Sequence, residues 1–244
     1  MTHCIKPIVL GFLFTLLLQQ ARAQLTFKGW GLYGSGTSSA HEYINLDASK
    51  MTLALNPRYF YTRNHQSKEY LSWGAGLFAD WQIKGPLRYQ SELAYTNKGA
   101  QERAYLNIFT NQRQESFQSN TYTYISSHHF LKYYVKPMAL YFMSGLRFEY
   151  LLTSSTPVFN EFSGDFPKFW YSWDASAGYE FPIKKRCHGF VELHYNPDLL
   201  WHYHRQIRIK NRTLELRAGI VIRERKRRID DCNAPKYNGP KYPM

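Results

Sequence analysis

Residues 126–129 read Ser-Ser-His-His, hydroxyls beside imidazoles, the pairing that nucleophilic hydrolysis uses as nucleophile and base. Neighbours in an extended chain point to opposite faces, and the stretch falls in the middle of an expected strand rather than at a rim. No base with an orienting partner can be named, so no catalytic residue is assigned. His202 and His204 share one face of a strand end, with His194 further down the same face. A surface metal site uses such spacing, but no carboxylate triad or cysteine stands beside them. No metal and no cofactor is expected. Two cysteines, Cys187 and Cys232, remain once Cys4 is set aside with the N-terminal segment. Charged residues recur at every second position of long alternating stretches, Glu92 and Lys132 among them.

Alternation is what must position these groups. Leu71, Trp73, Ala75, Leu77, Ala79, Trp81 and Ile83 are all apolar, whereas Ser72, Gly74, Gly76, Phe78, Asp80 and Gln82 between them are mostly small or polar. A period of two is a β-strand with one apolar and one polar face. The pattern returns at Met51–Thr62, Glu69–Ile83, Leu87–Gly99, Asn120–Val135, Met138–Thr153, Phe169–Ile183, Gly189–Tyr203 and Arg212–Glu224. Each stretch suffices for a tilted membrane crossing of about 9–11 residues. Short connections at 84–86, 136–137 and 184–188 alternate with long polar ones at 100–119, 154–168 and 204–211, plus a smaller one at 63–68. The chain therefore reads as all-β, an antiparallel transmembrane outer-membrane β-barrel of 8 strands, or 10 if Leu25–Ala48 adds a hairpin. The same parity puts both termini in the periplasm.

Which face looks outward follows from volume. The apolar face carries Trp73, Trp81, Tyr89, Tyr95, Tyr133, Phe142, Phe148, Tyr150, Tyr171, Trp173 and Tyr179, too many large rings for an interior that side chains only just fill. The opposite face carries Gly74, Gly76, Gly145, Gly178 and Gly219, together with charge. Arg58, Arg88, Lys98, Lys132, Arg147 and Arg217 face Asp80, Glu92, Glu149, Asp174, Glu180, Glu192 and Glu215. Buried charges have to pair, so the lumen is expected to be a packed plug rather than a transport path. An ion pair between Glu92 and Lys132, inward on neighbouring strands, is expected within it.

Residues 1–23 read as a signal peptide: Lys6, an apolar run from Ile8 to Leu18, then Ala21-Arg22-Ala23. The run is shorter than the ~20 residues of a membrane helix. Residues 24–224 are the barrel and 225–244 a basic, Pro-rich periplasmic tail that opens on Arg225-Lys226-Arg227-Arg228. Loss of Lys6 and Arg22, with no acid, takes the net charge from +13 to +11. Mean hydropathy of −0.50 excludes a helical membrane protein, whereas a barrel dilutes its apolar residues by alternation. No nucleic-acid motif or helical basic face is present, so no nucleic acid is expected and outer-membrane lipids are the counter-charge. Cys187 in the last short turn and Cys232 just past the eighth strand would both lie on the periplasmic rim, where oxidation favours a disulfide.

Ser91-Glu92-Leu93-Ala94-Tyr95-Thr96-Asn97-Lys98-Gly99-Ala100 resembles the "ELxYxxKGA" strand of PorT-like outer-membrane β-barrel proteins of Bacteroidota. Phe130-Leu131-Lys132-Tyr133-Tyr134-Val135 resembles their "LLKYYF" strand, and Glu192-Leu193-His194-Tyr195 stands in place of "EARY". The likeness covers most of 69–222. It departs at Ser126 and His128, where the family has Glu and Pro, and in the charged tail. The resemblance implies a small outer-membrane barrel whose namesake assists protein export by the type IX route. The expected function is thus a non-enzymatic barrel with a packed charged lumen, meeting envelope or secretion-system proteins through loops and tail. A lipid-modifying outer-membrane enzyme and a narrow solute pore are the alternatives.

Overall fold

The computed structural model describes residues 25–45, 51–52, 60–61, 63–105, 115–135, 138–156, 167–199, 202–204 and 207–224. Its strands are β1 (Thr26–Asn45), β2 (Met51–Thr52), β3 (Phe60–Tyr61), β4 (His65–Gln66), β5 (Tyr70–Lys84), β6 (Leu87–Tyr105), β7 (Glu115–Val135), β8 (Leu140–Ser155), β9 (Phe169–Pro182), β10 (Cys187–Pro197), β11 (His202–His204) and β12 (Ile207–Arg223). Eight of them close a ring in the order β1-β5-β6-β7-β8-β9-β10-β12, and β12 pairs back onto β1. Every ladder is antiparallel. Closure leaves no long unpaired edge, the condition for backbone polar groups to survive in lipid.

The register sets the tilt. From Phe27 the row of paired residues passes Trp81, Tyr89, Leu131, Ser144, Ala175, Tyr195 and Leu214 and re-enters β1 at Ser38. One of those eleven positions is taken by the bulge between Phe27 and Gly29, so the stagger is ten residues. At about 3.3 Å per residue and about 4.8 Å between strands, that is a tilt of roughly 40°.

Exposure is inverted relative to a water-soluble protein. Leu71, Trp73 and Leu77 are 78%, 59% and 58% exposed, while Asp174, Glu215 and Arg217 are at 0%. Along β9 the pattern alternates strictly, with Phe169, Tyr171 and Trp173 outward and Trp170, Ser172 and Asp174 inward. Rings on the outer wall meet across strands in two belts. Phe27–Trp81 and Trp81–Tyr89 lie at 6.3 and 5.6 Å near the short turns, and Trp73–Tyr95 and Phe148–Tyr171 at 5.6 and 5.7 Å further up. Leu77, Leu93, Leu146, Leu193 and Leu216 fill the band between. An apolar band flanked by aromatic girdles is the surface a bilayer requires.

Three expectations about elements are corrected. The first strand of the ring is Thr26–Asn45, not Met51–Thr62. Of the latter stretch the described residues form only the two-residue ribbon β2–β3. The optional hairpin is also overturned, because β1 runs without reversal through Gly34 and His41 and pairs with β12 along seventeen positions. After Leu32 its outward positions are Gly34, Gly36 and Ser38, so the apolar mark of alternation is missing. The connections expected at 100–119 and 204–211 are largely strand, since β6 reaches Tyr105, β7 begins at Glu115 and β12 begins at Ile207. β1 and β7 have 20 and 21 residues, about twice a membrane crossing. Outside the apolar band both faces of a strand are polar, and alternation fades.

The glycine face holds more than charge. Cβ atoms built at Gly76 and Gly178 would come within 2.6 and 2.5 Å of the Tyr33 and Tyr141 rings, so absent side chains let these rings lie flat on the wall. Phe130 occupies the space beside Gly145, and Phe190 that beside Gly219. Small residues thus convert a narrow barrel into one that takes large inward rings, which volume reasoning from sequence had reserved for the outside.

Candidate functional site

The lumen is a stack of ionic layers separated by rings. Nearest the short turns, Asp80 accepts hydrogen bonds from Arg88, at 2.9 Å, and from Arg223. Glu180 accepts from Arg223 Nε at 2.9 Å, Tyr134 at 2.7 Å and His188 at 2.7 Å. Tyr33, Phe78 and Phe190 pack above this layer. In the middle, Arg217 donates to Glu92 at 2.8 Å and to both oxygens of Glu215 at 2.9 and 3.0 Å, with its guanidinium 4.5 Å from the Tyr33 ring centre. Arg147 bridges Glu215, at 2.7 Å, and Asp174. Further up, Lys98 donates to Glu149 at 2.8 Å and to Asn196 at 3.0 Å. Tyr43, Tyr122, Tyr124, Trp170, Ile207 and Ile209 close the column above it.

All the described members of the inward charged set point into the lumen, with Arg58 lying outside the described residues. The expected inward charged set lacked Arg223, and His194 was placed with His202 and His204 rather than in that set. His194 sits between Asp174 (2.9 Å to Nδ1) and Glu192 (3.0 Å to Nε2), so each ring nitrogen meets a carboxyl group. The seven carboxylates of the expected inward set are thus met by Arg88, Lys98, Lys132, Arg147, Arg217, Arg223 and His194, while Glu102 and Asp198 are buried beyond that set. The inward position of His194 on an alternating strand was the available signal, but its two partners lie on β9 and on its own strand.

The direct Glu92–Lys132 pair is corrected. Both face inward, yet in the β6–β7 register Glu92 stands opposite His128 and Lys132 opposite Arg88, four residues apart along the strand. Gln90 joins them instead, donating to Glu92 at 2.7 Å and accepting from Lys132 at 3.0 Å. The Lys132 ammonium rests 3.7 Å from the Tyr141 ring centre and 4.0 Å from Glu192.

That register also builds what the Ser-Ser-His-His stretch lacked. His128 Nε2 lies 2.8 Å from Ser126 Oγ, and His128 Nδ1 lies 2.8 Å from Glu92. A hydroxyl, an imidazole and an orienting carboxylate in this order can activate a nucleophile. Ser126 and His128 are 1% and 0% exposed, however, and Glu92 also holds Arg217 and Tyr33. On the outer wall Ser127 and Tyr89 bracket His129 at 3.2 and 2.6 Å, satisfying an imidazole that faces lipid. The side chains of His202 and His204, and all of Cys232, lie outside the described residues. Cys187 is a free thiol among the described residues, paired in register with outward Ile222 at the end of β12.

Asp198 follows the end of β10 above the apolar band. Burial pushes its carboxyl up to about 7, against the pull of the Lys98 ammonium and with Glu149 adding to the rise. One oxygen accepts the Asn211 N–H at 2.8 Å, and the other has no hydrogen-bond partner among the described residues. A carboxyl that holds its proton more tightly folded than unfolded stabilises the fold at low pH and loses that contribution as pH rises towards 7. Heat resistance of the wild type is therefore expected to fall between about pH 4 and 7 relative to Asp198→Asn, measured as the compact form retained on unboiled gels. Parallel pH profiles for the two proteins would refute this.

A ring of eight strands, apolar outside and ionic inside, defines an antiparallel transmembrane β-barrel of the outer-membrane type. Similar solved structures include Neisserial surface protein A, at 12% identity, covering 79% of this chain and 97% of that one, with a TM-score of 0.37. Ail, the attachment invasion locus protein of Yersinia pestis, is similar at 12% identity, 80% and 99% coverage and a TM-score of 0.34. The outer membrane protease OmpT from Escherichia coli is similar at 8% identity, 82% and 99% coverage and a TM-score of 0.38. No family model matches the sequence, and no curated protein matches it significantly.

Proposed function

We propose that this chain is a non-enzymatic barrel of a bacterial outer membrane, related to the PorT-like proteins of Bacteroidota, that serves secretion or envelope assembly through its two ends. Both termini and the short turns are on the periplasmic side in this reading. The observation that carries it is the middle of the lumen, where charges pair in layers and rings pack between the layers. Such an interior favours a scaffold over a conduit. The short turns at one end and the long strands at the other support the orientation, because outer-membrane barrels keep short turns on the periplasmic side. The motif residues have matching structural duties: Glu92 and Lys98 join lumen layers, and Gly99 lets Tyr70 and the Asn120 carbonyl approach.

Planar bilayers test the sealed lumen. The purified protein is expected to add no stepwise current, and steady single-channel conductance would overturn the plug. Phospholipid hydrolysis that Ser126→Ala abolishes would overturn the non-enzymatic part. Co-purification from native membranes is expected to bring down envelope proteins that bind the ends of the barrel.

A further inference from the structure

At the short-turn end the strands enclose a bowl of about 920 Å³ that opens along the barrel axis. Its floor includes Arg88, Glu180, His188 and Arg223. These are engaged with one another and with Asp80, so the floor is closed and nearly neutral. The wall differs. Lys28 from β1, half-buried, and Lys185 and Arg186 from the β9–β10 turn, exposed, line the bowl. Among the described residues these three have no side-chain hydrogen bond or ion pair, and Glu224 is the acid on the same wall. Backbone bonds from Arg223 N–H to Arg186 O (2.8 Å) and from Glu224 N–H to Lys28 O (3.0 Å) hold the cations on either side of the end of β12. The result is a fixed cationic arc over a polar floor.

We propose that this bowl binds an acidic segment of another polypeptide. An arc of unpaired cations is complementary to several carboxylates carried in a row. The site is assigned to another polypeptide because the chain's own residues 225–244 carry six lysines and arginines against the two acids Asp230 and Asp231, a net charge of the same sign as the arc. Lipid headgroups gather around the outer wall, level with outward Phe27, Phe181 and Ile183, whereas the bowl lies inside the ring. The volume is at the upper end of the ~300–1,000 Å³ of ligand pockets, more than one phosphate fills. The partner's identity as an envelope protein rests on the proposed periplasmic orientation, but binding by the purified barrel does not.

The test is fluorescence anisotropy of a labelled hexaglutamate peptide with the full-length barrel in detergent micelles at low salt. Binding is expected, weakening with salt and absent for hexaglutamine. The triple variant Lys28→Gln, Lys185→Gln, Arg186→Gln is expected to bind about tenfold or more weakly, since each charge adds to one screened field. Lys185 and Arg186 are exposed and Lys28 is half-buried, and retained gel mobility before boiling verifies the fold. The reversal Lys185→Glu serves as a second variant with the same expected direction. Replacing Arg225, Lys226, Arg227 and Arg228 by Gln should leave most of the affinity. Unchanged binding by the triple and reversal variants overturns the proposal, as does loss confined to the tail variant. Capture by phosphatidylglycerol vesicles, or displacement of peptide by millimolar inorganic phosphate, would make the arc a site for phosphate groups and overturn it too. Failure here leaves the sealed, non-conducting barrel untouched, and conductance would leave the peptide site untouched.

Discussion

Arg217→Met is expected to destabilise the barrel by about 3–5 kcal/mol, the cost of breaking a buried ionic network from one side. Arg217 is fully buried and joins Glu92 to Glu215, two carboxylates from opposite parts of the ring. Methionine fills much of the space but leaves Glu92 to His128, Tyr33 and Gln90, and Glu215 to Arg147 alone. A second substitution separates charge from packing. Arg217→Met with Glu215→Leu removes one orphaned acid along with the base, so the double variant should recover part of the loss. The temperature at which the compact form disappears from unboiled gels reports both. Equal heat resistance of Arg217→Met and wild type would mean that the layer contributes nothing, contrary to its geometry.

Leu77→Arg is expected to cost about 2–4 kcal/mol, the penalty for a cation on the lipid face near mid-bilayer. Leu77 is 58% exposed and lies between the Trp81 and Trp73 belts on β5. In a water-soluble protein the same change at so exposed a position would be neutral or improve solubility, so the sign itself discriminates. Leu152→Arg supplies the control. Leu152 is 49% exposed and two residues beyond outward Tyr150, where the cost should fall to roughly 0–1 kcal/mol. Urea titration of refolding into lipid vesicles measures both, with a lower midpoint expected for Leu77→Arg alone. Coincident midpoints for Leu77→Arg and wild type would remove the bilayer from the outer wall.

Sequence by itself determined the sidedness of residues within the apolar band, and with it the lipid face, the inward charges and the even parity of crossings. That information is local: two residues of strand return a side chain to the same face, whatever the strand pairs with. It therefore placed Glu92, Lys132, Arg147 and Arg217 inside and Trp73, Leu93 and Tyr171 outside. It failed where the local mark is absent. Beyond Leu32, β1 presents Gly34, Gly36 and Ser38 to the outside and became visible as a strand only through its two ladders. The ten-residue stagger decided partners, because it sets which positions of distant strands share a height. Lys132 thus meets Gln90 and the Tyr141 ring instead of Glu92, and His128 lies between Ser126 and Glu92. Lys28 and Arg186, far apart in the chain, reach one rim for the same reason, since closure of β12 on β1 and β10 brings their carbonyls to its last N–H groups. A period of two tells a residue which way to face, while only a closed ring of fixed stagger tells it what it will meet there.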